Sequence, residues 1–216
     1  MRTFPFSKRA AISWLMAATV FLGGVCGVAQ TPSLSQSATI VLTEADNGKT
    51  GMAARGQSIL INLRGNPTTG FQWVLTATNG NSVVPTGTNT FTSDDGAGTG
   101  RPGTFSFPFQ VLDFGSTTLS FVYIQPWNPQ NIQQTFTVTI GSGDMPGAPH
   151  LAAALDGKNV VITWPIAFSS GFYLEGTQSL SPPSWSASNA LPVPDGFNYK
   201  VVLGAAGGSL YFRMRQ

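Results

Sequence analysis

The stretch G-N-P-T-T-G-F-Q-W, residues 65–73, joins two segments that both have the pattern of a β-strand. Apolar residues occupy every second position on either side of it, in residues 59–63 and again in residues 71–75. A period of two is typical of a strand with one buried face. The stretch therefore predicts two strands joined by a turn.

The turn itself is uncharged and chemically specific. Pro67 fixes its own φ and favours an extended conformation at Asn66, while Gly70 can adopt a positive φ before the next strand. The hydroxyls of Thr68 and Thr69 can bond nearby backbone groups. These features predict a stiff loop, and the residues alone leave open whether it is only a good turn or a functional one.

The first two thirds of the chain contain seven short β-prone segments and no helical pattern between them. Their predicted bounds are residues 38–42 with a weaker continuation at 50–54, then 58–64, 71–76, 88–92, 104–112, 117–124 and 133–140. Such a series is typical of an antiparallel β-sandwich of the immunoglobulin type. We predict an all-β fold of this kind over residues 38–141.

Three unusual loops follow the second, fourth and sixth predicted strands. We call them the Asn66 loop (residues 66–70), the glycine-rich loop (93–103) and the Trp127 loop (125–131). Successive turns of a sandwich alternate between its two ends, so these three loops should emerge together. Their coincidence favours a functional role for that end.

The first 29 residues have the pattern of a secretory signal. A basic segment precedes a long apolar run, and small residues at 27–29 favour cleavage before Gln30. Residues 30–37 form a polar leader. We expect an exported protein without a membrane span after cleavage, the alternative being a retained anchor.

Charge and cysteine content narrow the possible partners. Without the signal the chain has eight basic and nine acidic residues, which are scattered and form no basic patch, so nucleic acid is not expected as a partner. Cys26 is the only cysteine and lies in the signal. A mature chain without disulfides is more typical of bacterial export than of animal secretion.

The last third of the chain has the composition of a separate unit. Residues 142–149 are rich in glycine and proline and predict a linker, and residues 150–216 contain about five further β-prone segments. We predict a second, small β-sandwich-like domain there.

Catalytic and metal-binding patterns are weak. His150 is the only histidine and stands at the edge of the linker, which disfavours a histidine-activated nucleophile. Asp94 and Asp95 lack the further oxygen ligands of a calcium loop. The sequence predicts neither an enzyme nor a metal or other cofactor.

Trp127 differs from Trp73, the other tryptophan of the first domain. It lies between Pro126 and Pro129, where strand periodicity does not bury it, whereas Trp73 is in step with the apolar residues of its strand. Aromatic side chains on stiff loops often anchor protein interfaces. We expect Trp73 in the core and Trp127 at the surface.

Three motifs together resemble the chagasin-like inhibitors of papain-family cysteine proteases. They are L-T-E-A-D-N-G-K-T at residues 42–50, N-P-T-T-G-F-Q-W at 66–73, and Pro126-Trp127. The resemblance implies an immunoglobulin-like sandwich over about residues 38–140 whose three loops enter the protease cleft. It implies a reversible, competitive, monomeric inhibitor that contacts the protease through Asn66, Pro67, Thr68, Thr69, Gly70, Phe71, Gly98, Gly100, Arg101, Gly103, Gln125, Pro126 and Trp127.

Two positions depart from the family pattern. Gln125 stands where the family usually has arginine, and the glycine-rich loop is longer and contains Arg101. The first change removes a charged contact, and Arg101 is a candidate to replace it. The rival interpretation is a surface adhesion or glycan-binding module that uses the same loops without inhibiting a protease.

Overall fold

The structure is a computed structural model that describes residues 38–94, 100–143, 148–204 and 209–216. The predicted signal and leader lie outside these ranges. In the first part of the chain the strands are β1 (Ile40–Leu42), β2 (Thr50–Ala53), β3 (Ser58–Gly65), β4 (Gln72–Asn79), β5 (Val83–Pro85), β6 (Thr90–Ser93), β7 (Gly103–Val111), β8 (Gly115–Ile124) and β9 (Gln134–Ser142).

These strands form two sheets. One has the order β1-β3-β7-β5, with β6 also paired to β7, and the other has the order β2-β9-β8-β4. The first strand region is split between them, because β1 pairs with β3 in one sheet and β2 pairs with β9 in the other, both in parallel. The remaining pairs are antiparallel. The predicted all-β sandwich is confirmed.

The core follows from the period-two pattern of the longer strands. In β7 every second residue is buried, and Phe107 packs against Phe121 of the opposite sheet with ring centroids 4.9 Å apart. Phe121 also meets Phe136 at 6.1 Å. Burial of alternate aromatic side chains from both sheets is what holds a sandwich of this type together.

Two strands of this part differ from the prediction. The short strand β5 was not predicted, and the segment predicted at 88–92 forms strand β6 two residues later. Strand β5 is V-V-P, too short to show a period, and its proline is tolerated because β5 lies at the edge of its sheet.

Residues after 148 form two more sheets. Their strands are β10 (Ala152–Asp156), β11 (Asn159–Pro165), β12 (Tyr173–Thr177), β13 (Ser186–Ala187), β14 (Val193–Asp195), β15 (Asn198–Gly204) and β16 (Tyr211–Arg215). The sheet orders are β10-β11-β15-β14 and β13-β12-β16. Trp164 of β11 is buried against Tyr199 of β15, with centroids 5.7 Å apart.

The boundary between the two parts is less open than its composition predicts. Strand β9 continues to Ser142, and Pro149 is buried. The division into two domains stays a prediction. Among the described residues no helix is long and apolar enough to cross a bilayer.

Candidate functional site

The Asn66 loop is a single turn of 3-10 helix at Pro67–Thr69. Asn66 is extended and Gly70 has φ +81°, as predicted. The Asn66 side-chain oxygen accepts from the Thr68 amide at 3.1 Å and from the Thr68 hydroxyl at 2.6 Å. The Thr69 hydroxyl donates to the Asn66 carbonyl at 2.7 Å. Thr69 therefore bonds backbone as expected, whereas the Thr68 hydroxyl bonds the Asn66 side chain instead.

The side chain of Tyr123 in β8 supports this loop from the core side. Its hydroxyl accepts from the Asn66 amide at 2.7 Å and donates to the Asn66 carbonyl at 3.3 Å. Its ring packs between Phe71 and Trp73, at centroid distances of 5.5 and 5.3 Å. Sequence reasoning gave Tyr123 no role at the loops, although a tyrosine on a buried strand face needs a partner for its hydroxyl.

The Trp127 loop is joined to the Asn66 loop at two points. The side-chain amide of Gln125 donates to the Thr69 carbonyl at 3.2 Å. The indole of Trp127 lies directly on Gly70, where an added Cβ would be 2.3 Å from its ring. Trp127 nevertheless keeps 71% of its surface exposed, so one edge is packed and the rest faces solvent.

The glycine-rich loop is fixed at both ends. Asp94 at its start forms a two-pronged ion pair with Arg64 of β3, at 2.5 Å for each hydrogen bond. This guanidinium lowers the pKa of Asp94 and its hydrogen bond raises that of Arg64. Towards the other end, the Gly100 carbonyl accepts from the Asn66 side chain at 3.3 Å.

The predicted contact residues of this loop lie in different surroundings. Gly100 and Arg101 are exposed, whereas Gly103 is buried as the first residue of β7. A Cβ on Gly103 would lie 2.2 Å from the Thr92 carbonyl, so Gly103 serves the packing of β6 on β7. Gly98 lies outside the described residues.

The three loops thus form one continuous surface, which we call the loop end. Thr68, Thr69 and Pro126 are exposed on it together with Trp127, and all are uncharged. Ile132, between Trp127 and β9 in the chain, is a further apolar residue with an exposed side chain, at 52%, and it was not among the predicted contact residues. The only indication in the sequence is that Ile132 is a single apolar residue within a polar segment.

Metal binding has little support here. In the described part of the chain no three His, Cys, Asp or Glu side chains are grouped so as to hold an ion. Asp94 is the described member of the candidate calcium pair, and its carboxylate is already ion-paired with Arg64.

Comparison with known proteins identifies relatives of the first part of the chain. A family model described as chagasin family peptidase inhibitor I42 matches residues 52–140. Chagasin from Trypanosoma cruzi is 34% identical over 101 residues, which cover 45% of this chain and 92% of chagasin. Amoebiasin-1 from Entamoeba histolytica is 33% identical over 101 residues, covering 46% of this chain and 95% of that protein.

Among solved structures, a cysteine protease inhibitor from Entamoeba histolytica, EhICP2, matches 49% of this chain and 95% of its own at 21% identity and a TM-score of 0.42. The family model and the two sequence relatives point to the same family, and the residues that the model matches include all three loops. The chain belongs to the chagasin family of peptidase inhibitors.

Proposed function

We propose that this protein is an exported, reversible and competitive inhibitor of papain-family cysteine proteases, and that the loops after β3, β6 and β8 enter the active-site cleft. The observation that carries the proposal is the linkage of the three loops. Hydrogen bonds join Asn66 to Gly100 and Thr69 to Gln125, and Trp127 packs on Gly70. A surface held in this way loses little conformational entropy on binding.

The conformation of the Asn66 loop explains how it blocks a protease without being cut. Its backbone is a helical turn rather than the extended strand by which peptides commonly add to a binding groove. The carbonyls of Asn66, Pro67 and Thr69 already accept hydrogen bonds from within the protein. Each of these oxygens would have to leave its partner within the protein to enter the oxyanion hole of a protease, so we expect cleavage to be slow while the cleft is filled.

Affinity is expected to come mainly from apolar contact. The exposed part of Trp127 can be buried by a cleft wall, and aromatic side chains held on stiff loops are frequent hot spots. Protease–inhibitor interfaces bury about 1,600 Å² in total. The uncharged tip at Thr68 and Thr69 costs little to desolvate compared with a charged one.

Gln125 has a different role from the arginine that the family usually has there. Its side chain points back to the Thr69 carbonyl and braces the neighbouring loop. Gln125 therefore positions the neighbouring loop, and Trp127 and the Thr68–Thr69 tip contact the protease directly.

The test is a titration of papain with residues 30–216, using a small fluorogenic peptide substrate. Competitive inhibition raises the apparent KM and leaves kcat unchanged. Activity should return on dilution, and mass spectrometry should find the inhibitor intact. No inhibition at micromolar protein would contradict the proposal, as would a fall in kcat at constant KM.

Two variants locate the contact surface. Thr68→Glu places a charge at the tip and should raise the inhibition constant by about 30-fold or more, the range of a hot-spot loss. Thr78→Glu changes an exposed threonine at the opposite end of β4 and should leave the constant within about two-fold. Equal effects of the two substitutions would argue against insertion of the Asn66 loop.

A further inference from the structure

The turn between β14 and β15 contacts the sandwich directly. This hairpin reverses at Gly196, which has φ +60°, and residues Asp195 and Asn198 pair across it. Gly196 forms an antiparallel β-bridge with Val41 of β1. The tip of a hairpin from the end of the chain thus hydrogen-bonds to the first strand of the inhibitor fold.

Phe197 fits against a glycine of β2. Its side chain is 8% exposed and its ring lies against Gly51. A Cβ added to Gly51 would be 2.1 Å from Cγ of Phe197 and within 2.4 Å of both Cδ atoms, closer than any side chain can approach. The ring can occupy this place only because residue 51 has no side chain.

In a second close contact, the glycine belongs to the hairpin and the side chain belongs to the sandwich. A Cβ added to Gly196 would be 2.6 Å from Oδ1 of Asp46. Asp46 is itself fixed and 5% exposed, because its carboxylate accepts from the Thr43 amide at 2.9 Å and from the Lys49 ammonium at 3.1 Å. Val41, Asp46 and Gly51 therefore form a notch with rigid walls, which we call the edge notch.

The edge notch lies where the sandwich has open backbone. Strands β1 and β2 are the outermost strands of their two sheets, and the chain passes from one sheet to the other between them. An uncovered edge strand presents unpaired backbone groups. The hairpin tip covers part of this edge, and the buried residues of the two parts belong to one continuous apolar cluster.

We infer that the edge notch is a docking site for the chain's own hairpin tip, residues 195–198, and that this contact fixes the C-terminal sheets to the inhibitor sandwich so that both unfold together. The inference does not depend on protease inhibition. The loop end takes its contacts from residues 64–127, so docking at the notch leaves it open.

A double-substitution cycle on residues 30–216 tests this docking. Gly51→Ala forces Phe197 out of the notch, and Phe197→Ala removes the ring atoms that an alanine at residue 51 would meet. Gly204→Ala is the matched control, since it adds a Cβ to a strand glycine with nothing within 4 Å. The readouts are the midpoint of thermal unfolding and amide hydrogen exchange of residues 195–198.

Gly51→Ala should lower the midpoint by about 5 °C and speed exchange at the hairpin tip about ten-fold, while Gly204→Ala should change the midpoint by less than about 1 °C. In the Phe197→Ala background, Gly51→Ala should cause no further loss, because the two residues share one contact. Amide hydrogen exchange of β11, which carries the buried Trp164, reports whether the C-terminal sheets stay folded in each variant.

Two results would overturn the inference. One is a Gly51→Ala protein that matches the Gly204→Ala control in midpoint and in exchange at residues 195–198. The other is a double variant whose loss equals the sum of the two single losses, since additivity would mean that residues 51 and 197 do not interact.

Discussion

At the scale of single residues, the loop end depends on positions that join one loop to the next. Gly70 is the clearest of them, since it has a positive φ and the ring of Trp127 occupies the space that a Cβ would need. The positive φ was predictable from its place after Pro67. The contact with Trp127 was not predictable, because the local sequence around Gly70 carries no information about a residue 57 positions later.

Gly70→Ala should therefore weaken inhibition by more than backbone strain alone would. The added Cβ displaces Trp127, so we expect the inhibition constant for papain to rise about 30-fold. Gly56→Ala is the control, because Gly56 has nearly the same φ, +82°, and open space around it. If both variants inhibit equally well, the Trp127 contact does not position the anchor.

Gln125 offers a second comparison between matched residues. Removing its hydrogen bond to Thr69 by Gln125→Ala should raise the inhibition constant about five-fold, the worth of one neutral hydrogen bond. Gln110→Ala removes an amide-to-carbonyl bond of the same length, 3.2 Å, at the opposite end of the sandwich. An unchanged constant in Gln125→Ala, equal to that of Gln110→Ala, would remove Gln125 from the positioning residues.

At the scale of strands and loops, the sequence predicted long strands well and short ones poorly. Strands β7, β8 and β9 show an alternation of buried residues that the period-two pattern already contained. Strand β14 is V-P-D and fully exposed, and β10 is rich in alanine, which has low β-propensity. Such strands are formed by pairing with a neighbour, for which the local sequence carries no signal.

The sandwich topology allowed the meeting of the three loops to be predicted, but not their supports. Arg64 and Asp94 are 30 positions apart, and their ion pair depends on β3 and β6 both lying beside β7. Tyr123 reaches Asn66 for a similar reason, across the two sheets. These contacts follow from tertiary structure rather than from any motif.

The Arg64–Asp94 pair gives the glycine-rich loop a pH dependence. Because Arg64 lowers the pKa of Asp94 in the folded state, the stabilisation is complete above the ordinary carboxyl range, about pH 4, and is lost as the pH falls through the lowered value. Hydrogen exchange of residues 100–104, corrected for intrinsic rates, should therefore accelerate between pH 5 and pH 2.

Asp94→Asn should show the faster exchange already at neutral pH and little change on acidification. High salt should act in the same direction on the unsubstituted chain, because the pair is partly exposed and is screened. Identical exchange of the two proteins at pH 7 would mean that the ion pair does not hold the loop.

At the scale of the whole molecule, the family match covers residues 52–140, which is most of the sandwich, and places the chain in a family of peptidase inhibitors. The C-terminal sheets lie outside the matched residues. Their contact at the edge notch joins residues more than 140 positions apart in sequence. From composition alone, the same two parts of the chain were predicted to be separate units joined by a linker.

Stability and inhibition should therefore separate when the notch is disturbed. Phe197→Ala should lower the free energy of unfolding by about 3 kcal/mol, as expected for a buried phenylalanine. The inhibition constant for papain at 25 °C should stay within about two-fold, because the loop end is supported from within the sandwich. Chemical denaturation and the papain titration measure the two quantities, and a parallel loss of both would show that docking shapes the loops.

We propose that the loop end fills the active-site cleft of a papain-family protease. The most direct measurement is the rate at which iodoacetamide alkylates the catalytic thiol of papain, with and without an excess of residues 30–216, which contain no cysteine of their own. We predict that alkylation slows in proportion to the fraction of papain bound and recovers on dilution. Alkylation at the unprotected rate while the protein is bound to papain would contradict the claim.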